Sequence, residues 1–230
     1  MVGDRRGAAV SARRLGVMAA GLGCLAAAVL IGLVAHSRGT WLDHGLPRAA
    51  GRLMPPDNRL VQALSSELGW PSGAYLTALL PVAVAMALLA VEVRRQGLGP
   101  VLRRWRWVLL TLVAIPFHYV LRLAFARPGP GEVAGDGLYI GAYPSGAALA
   151  VGLGWMLCLV VAGELRPRWR PWLVAVAAVV VTVHAVARAV TEKHWVTDIL
   201  GSYLLVAGAF LLAAAATSAG GEPARRATAG

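Results

Sequence analysis

Long apolar blocks alternate along the chain with short polar stretches rich in arginine. The blocks fall near residues 15–35, 74–93, 107–126, 145–163, 172–190 and 196–216. Each is about 20 residues long, enough to cross a hydrocarbon core of roughly 30 Å as a helix. None shows the polar stripe of a soluble surface helix. The pattern predicts an all-α bundle of six transmembrane helices spanning 15–216. Residues 1–14 precede it, and a small, polar, disordered tail covers 217–230. Pro116 lies inside the third block, where a kink is tolerated if neighbours satisfy the freed carbonyl. Segment 36–70 is a polar loop with Pro47, Pro55 and Pro56. Within it, Leu60, Val61, Leu64 and Leu68 recur at helical spacing, which predicts a short amphipathic helix over 58–68. The first block is too long for a signal-peptide core and has no A-x-A site after it, so it is expected to remain as a helix.

Composition supports this. Hydrophobic residues make up 58% of the chain, against about 45–50% in soluble domains. The net charge of +11 raises the question of nucleic acid, but the basic residues sit at block ends rather than along one face. That is the orientation signal of a membrane protein. Arg5, Arg6, Arg13, Arg14, Arg94, Arg95, Arg103, Arg104 and Arg106 fall on one side, with Arg166, Arg168 and Arg170. Both termini are therefore expected in the cytoplasm of a plasma-membrane protein. Cys24 and Cys158 lie inside apolar blocks, without the spacing of a disulfide framework or metal site. No His/Asp/Glu group has ligand spacing, so neither metal nor cofactor is expected.

Arg122 and Arg188 break the pattern, because they lie within helix ends instead of loops. A charge at that depth costs about 2.5–3.5 kcal/mol on insertion scales and points to function. Three segments then converge on the predicted outer face: Arg122 to Pro130, Tyr143 to Ala147, and Arg188 to Asp198. Arginine suits bidentate phosphate binding. Ser145 is a natural N-cap, and the N–H groups after Gly146 form an anion site. His194 and Asp198 are four residues apart and share a helix face. The carboxylate can hold one imidazole nitrogen and leave the other free as a nucleophile toward phosphorus. Singly, these residues also fit interfacial snorkelling, a helix cap and a loop histidine.

Together the segments resemble the membrane-bound type 2 phosphatidic acid phosphatase (PAP2) superfamily, which includes bacterial lipid phosphatases and undecaprenyl diphosphate phosphatases. The family pattern is Lys followed by Arg-Pro, then Pro-Ser-Gly-His, then Ser-Arg-x5-His-x3-Asp. Arg188-x5-His194-x3-Asp198 fits the last part at full spacing, and the resemblance covers roughly 74–216. It implies a lipid phosphate substrate drawn from the surrounding membrane lipids. It also implies a phosphohistidine at His194, orientation by Asp198, and phosphate contacts from Arg188, Arg127 and the Ser145-Gly146 backbone. Arg122 replaces the first Lys, Gly129 an Arg that many members carry, and Ala187 the Ser before Arg188.

Ala147 is the largest departure, because it stands where the family has its proton-donating histidine. A general acid contributes about 10²- to 10⁴-fold, most where the leaving group is an alkoxide. Its loss favours a diphosphate, such as a polyprenyl diphosphate, over a monoester. His118, His184 and His44 are candidate substitute acids. The alternatives are a phosphotransferase, or a lipid-phosphate binding or transport protein.

Overall fold

The computed structural model describes residues 2–36, 40–65, 73–130 and 141–217, with side chains from residue 11 in the first helix and residue 76 in the fourth. The described residues form helices α1 (Val2–Ala35), α2 (Trp41–Gly51), α3 (Arg59–Ser65), α4 (Gly73–Gln96), α5 (Leu98–Leu110), α6 (Ala114–Phe125), α7 (Gly146–Leu165), α8 (Arg170–Val190) and α9 (Val196–Thr217). Six segments among them are long and apolar enough to span a bilayer, with α5 and α6 forming one. Leu22, Leu30, Val34, Leu80, Leu109, Val120 and Trp172 face outward from the bundle. In a multi-pass membrane protein that belt meets lipid tails.

The bundle is built on two close pairs, α1 with α9 and α4 with α7, with α7 also touching α8 and α9. Small residues permit these approaches, as they do between helices in lipid. A Cβ on Gly154 would meet the Ala78 carbonyl oxygen at 2.5 Å. One on Gly208 would meet the Gly21 carbonyl oxygen at 3.0 Å. Ala28, Leu121, Phe125, Tyr143, Leu205 and Phe210 form the largest buried cluster.

Two boundaries differ from the sequence expectation. The first helix extends back to Val2, and Arg14 Nε donates to the Ala215 carbonyl at the far end of α9, 3.0 Å away. A cation suits a helix C-terminus. The third span starts at Leu98 rather than 107, because α5 buries Val101 and Trp105 while Arg103, Arg104 and Arg106 stay exposed. A two-faced helix of this kind reads as a charged loop when only its arginines are counted. Ahead of Pro116, where a kink is tolerated, the span passes through a 3-10 turn over Thr111–Val113. Proline has no N–H to donate to the residue four back.

Among the described residues, segment 36–70 holds two helices where one was expected. The expected amphipathic helix is present over its described part as α3, Arg59–Ser65. Val61 is buried and Leu60 exposed, while Leu68 and the tail 218–230 lie outside the described residues. The unexpected element is α2. Asp43, in its first turn, accepts from the Thr40 N–H at 2.8 Å and the Thr40 hydroxyl at 3.1 Å. This is the acidic half of a capping box.

Candidate active site

The site forms at the end of the bundle where α6, α7, α8 and α9 meet and where α2 folds across. Asp198 is its pivot. It occupies the first turn of α9 with no exposed surface. Its Oδ2 accepts from the Trp195 N–H at 3.2 Å, which caps the helix. The same oxygen lies 3.4 Å from His194 Nδ1. Oδ1 accepts from Arg127 at 2.7 Å. One carboxylate thus both caps the helix and contacts the imidazole. Donation from Nδ1 to Asp198 fixes the tautomer that leaves Nε2 with its lone pair.

Arg127 follows the end of α6, where Ala126 adopts a left-handed conformation (φ 41°) and turns the chain. Its guanidinium is buried against Asp198, against the Thr197 hydroxyl at 2.6 Å and against Asp43 at 3.1 Å. It also stacks over Trp195, 5.2 Å from the ring centroid. Trp195 in turn donates from its indole to the Pro128 carbonyl at 2.9 Å. Asp43 accepts from the Thr197 N–H at 2.9 Å. Burial pushes its carboxyl up, but the Thr197 and Thr40 hydrogen bonds and the Arg127 charge outweigh that and hold it below the ordinary carboxylate range. One cation between two carboxylates therefore ties α2, the end of α6 and the start of α9 together. Sequence reasoning missed Asp43. The available signal was Thr40-x-x-Asp43, a capping-box spacing.

The other expected phosphate contacts lie around this centre. Ser145 caps α7 through Ala148 N–H at 3.4 Å and has no exposed surface. Its own N–H donates to the Asp198 carbonyl at 3.1 Å, and Ser202 donates to the Ser145 carbonyl at 2.8 Å. The start of α7 is thus bolted to the start of α9. Arg122 donates from Nε to the Gly141 carbonyl at 2.6 Å. A Cβ on Gly146 would lie 3.9 Å from an Arg122 amine nitrogen, so this guanidinium borders the α7 N-terminus. Arg188 is fully buried in α8 and donates to the Ser65 carbonyl at 3.1 Å, at the end of α3.

A cavity of about 490 Å³ opens beside His194. Its walls include Asp43, His44, Pro47, Arg48 and Arg52 from α2 and the turn after it, with Glu192, His194 and Trp195 opposite. Of the three histidines singled out in the sequence, His44 shares this cavity with His194, its ring edge-on to Trp195 at 5.3 Å. His118 is buried, with Nε2 3.0 Å from the Pro144 carbonyl. His184 is fully buried within α8. An apolar groove of about 280 Å³ adjoins the cavity between α2, α8 and α9, and Pro47 and Ala189 line both. A polar cavity and an apolar groove thus share two wall residues.

The structure matches the crystal structure of a transmembrane PAP2-type phosphatidylglycerolphosphate phosphatase from Bacillus subtilis, with a TM-score of 0.57. The chain shares its fold with a PAP2-type enzyme. The match covers 86% of this chain and 94% of that one at 14% identity. No protein-family model matches the chain, and no curated protein sequence does.

Proposed function

We propose that the chain is an integral membrane lipid phosphatase that hydrolyses a lipid diphosphate, favourably a polyprenyl diphosphate, through a phosphohistidine at His194. The observation that carries this reading is His194, paired with buried Asp198, on the wall of a cavity that adjoins an apolar groove. Nε2 of His194 attacks the terminal phosphorus and forms an N–P bond. The bridging P–O bond breaks, and the lipid monophosphate leaves with the electron pair. Water then cleaves the N–P bond, releasing inorganic phosphate and restoring the imidazole. Asp198 stabilises the charge that His194 gains. Arg122, Arg188 and the α7 N–H groups after Ser145 and Gly146 neutralise the phosphate oxygens. Arg127 fixes the two carboxylates and lends its charge from behind them. The tail lies in the groove between α8 and α9. The site faces the outer side of the plasma membrane, as the arginine bias predicts.

Ala147 supports a diphosphate, because a phosphate leaving group needs no proton donor. It equally motivates the alternative of a phosphotransferase or a lipid-phosphate binder. Phosphate release from a panel of lipid monophosphates and diphosphates tests both. The diphosphates should turn over fastest, and His194→Ala should remove turnover throughout. Binding without phosphate release would favour the alternative. For monoesters, His44 is the candidate proton donor, since it shares the cavity with the nucleophile.

A further inference from the structure

Helix α2 presents more than Asp43 to the cavity. His44 and Arg48 are one turn apart, Arg52 follows one turn later, and all three line the cavity that holds His194. Arg48 and Arg52 are exposed. Among the described residues neither guanidinium has a hydrogen-bond or ion-pair partner. Glu192 is on the cavity wall as well. Asp43 is already neutralised by Arg127. Two uncommitted guanidiniums beside a nucleophile form a ready anion site, since each can bind phosphate oxygens bidentately.

We infer that Arg48 and Arg52 form a second anion subsite, which holds the leaving-group phosphate of a lipid diphosphate. This rests on the reading above and adds the substrate-determining residues to it. With the terminal phosphate at His194, the inner phosphate is the next group along the substrate, and α2 borders the same cavity. The tail attached to it meets Leu46, Pro47 and Ala50 on α2, which line the apolar groove. When the bridging P–O bond breaks, the inner phosphate gains a negative charge. Arg48 and Arg52 stabilise that charge where a monoester would need a proton. The subsite thereby replaces the function lost at Ala147 for one class of substrate.

The test is the ratio of kcat/KM for farnesyl diphosphate to that for farnesyl monophosphate, in the full chain in detergent. In Arg48→Gln/Arg52→Gln this ratio should fall by about 10- to 100-fold, a range reduced from that of a buried oxyanion donor because both residues are exposed. Arg48→Lys/Arg52→Lys should keep most of it. A ratio within about threefold of wild type would overturn the subsite. So would an equal slowing of both substrates, which would make the pair a general attractor of anions. Should the wild type hydrolyse neither substrate, the phosphatase reading fails by itself. The subsite is then judged by binding of the non-hydrolysable farnesyl methylenebisphosphonate, measured calorimetrically. Weaker binding to the Gln variant supports it, and unchanged binding rejects it.

Discussion

The two ends of the bundle are both rich in arginine, yet they use it in opposite ways. At one end Arg104 reaches Glu164 at 2.6 Å and Glu92 at 3.6 Å, with the Arg104 and Glu164 side chains more than two-fifths exposed. At the other, Arg127 is 2% exposed and pairs with two fully buried carboxylates. Exposed pairs are worth about 0–1 kcal/mol, because water and side-chain entropy offset the attraction. A buried pair gains little over an apolar replacement but is costly to break. What differs between the ends is therefore the chemistry of the environment, not the residue type. At one end the charges stay in contact with water. The other fixes a geometry.

Substitutions can break this contrast, and the largest effect is expected at its pivot. Asp198→Asn should cut phosphate release by about 10²- to 10⁴-fold, since His194 loses the partner that fixes its tautomer. The protein should still fold, because an amide can retain the cap on Trp195. Arg127→Ala leaves Asp43 and Asp198 buried without their cation. It should lower stability by about 3–5 kcal/mol in thermal unfolding. Asp43→Ala releases α2 from the start of α9, and the displaced cavity wall should cost up to about 10²-fold in turnover. The held-down carboxyl of Asp43 also predicts a pH response. Its folded pKa lies below the ordinary 3.8, so its contribution is complete above that value and is lost as pH falls through the lower folded one. Accordingly, protease cleavage between α1 and α3 should stay flat from about pH 5 to 8 and rise only in strong acid. Arg104→Ala, at the far end, should change stability by less than about 1 kcal/mol and turnover hardly at all. A large loss there would erase the contrast.

Much of the frame was legible because its signals are local. Apolar block length gave the six spans. Ser145, Gly146 and the Arg188–His194–Asp198 spacing marked where the helices of the site begin and end. The α2 wall was not legible, because its meaning depends on distant residues. Asp43 finds Arg127 84 residues on and Thr197 154 residues on. Arg48 and Arg52 look like ordinary loop charges until that pairing seats α2 over His194. Pro47, inside α2, also masks the helix, since proline normally ends one. Arg127 shows the same limit from the other side. As a residue type it suggests phosphate, and its position gives it two carboxylates.

The proposed chemistry turns on a covalent bond from His194 to phosphorus. Rapid quenching of the purified protein with lipid diphosphate labelled at the terminal phosphate tests it most directly. The account predicts an acid-labile, base-stable label on His194, absent in His194→Ala, that decays as inorganic phosphate appears. Phosphate release without any labelled intermediate, or undiminished release from His194→Ala, would contradict it.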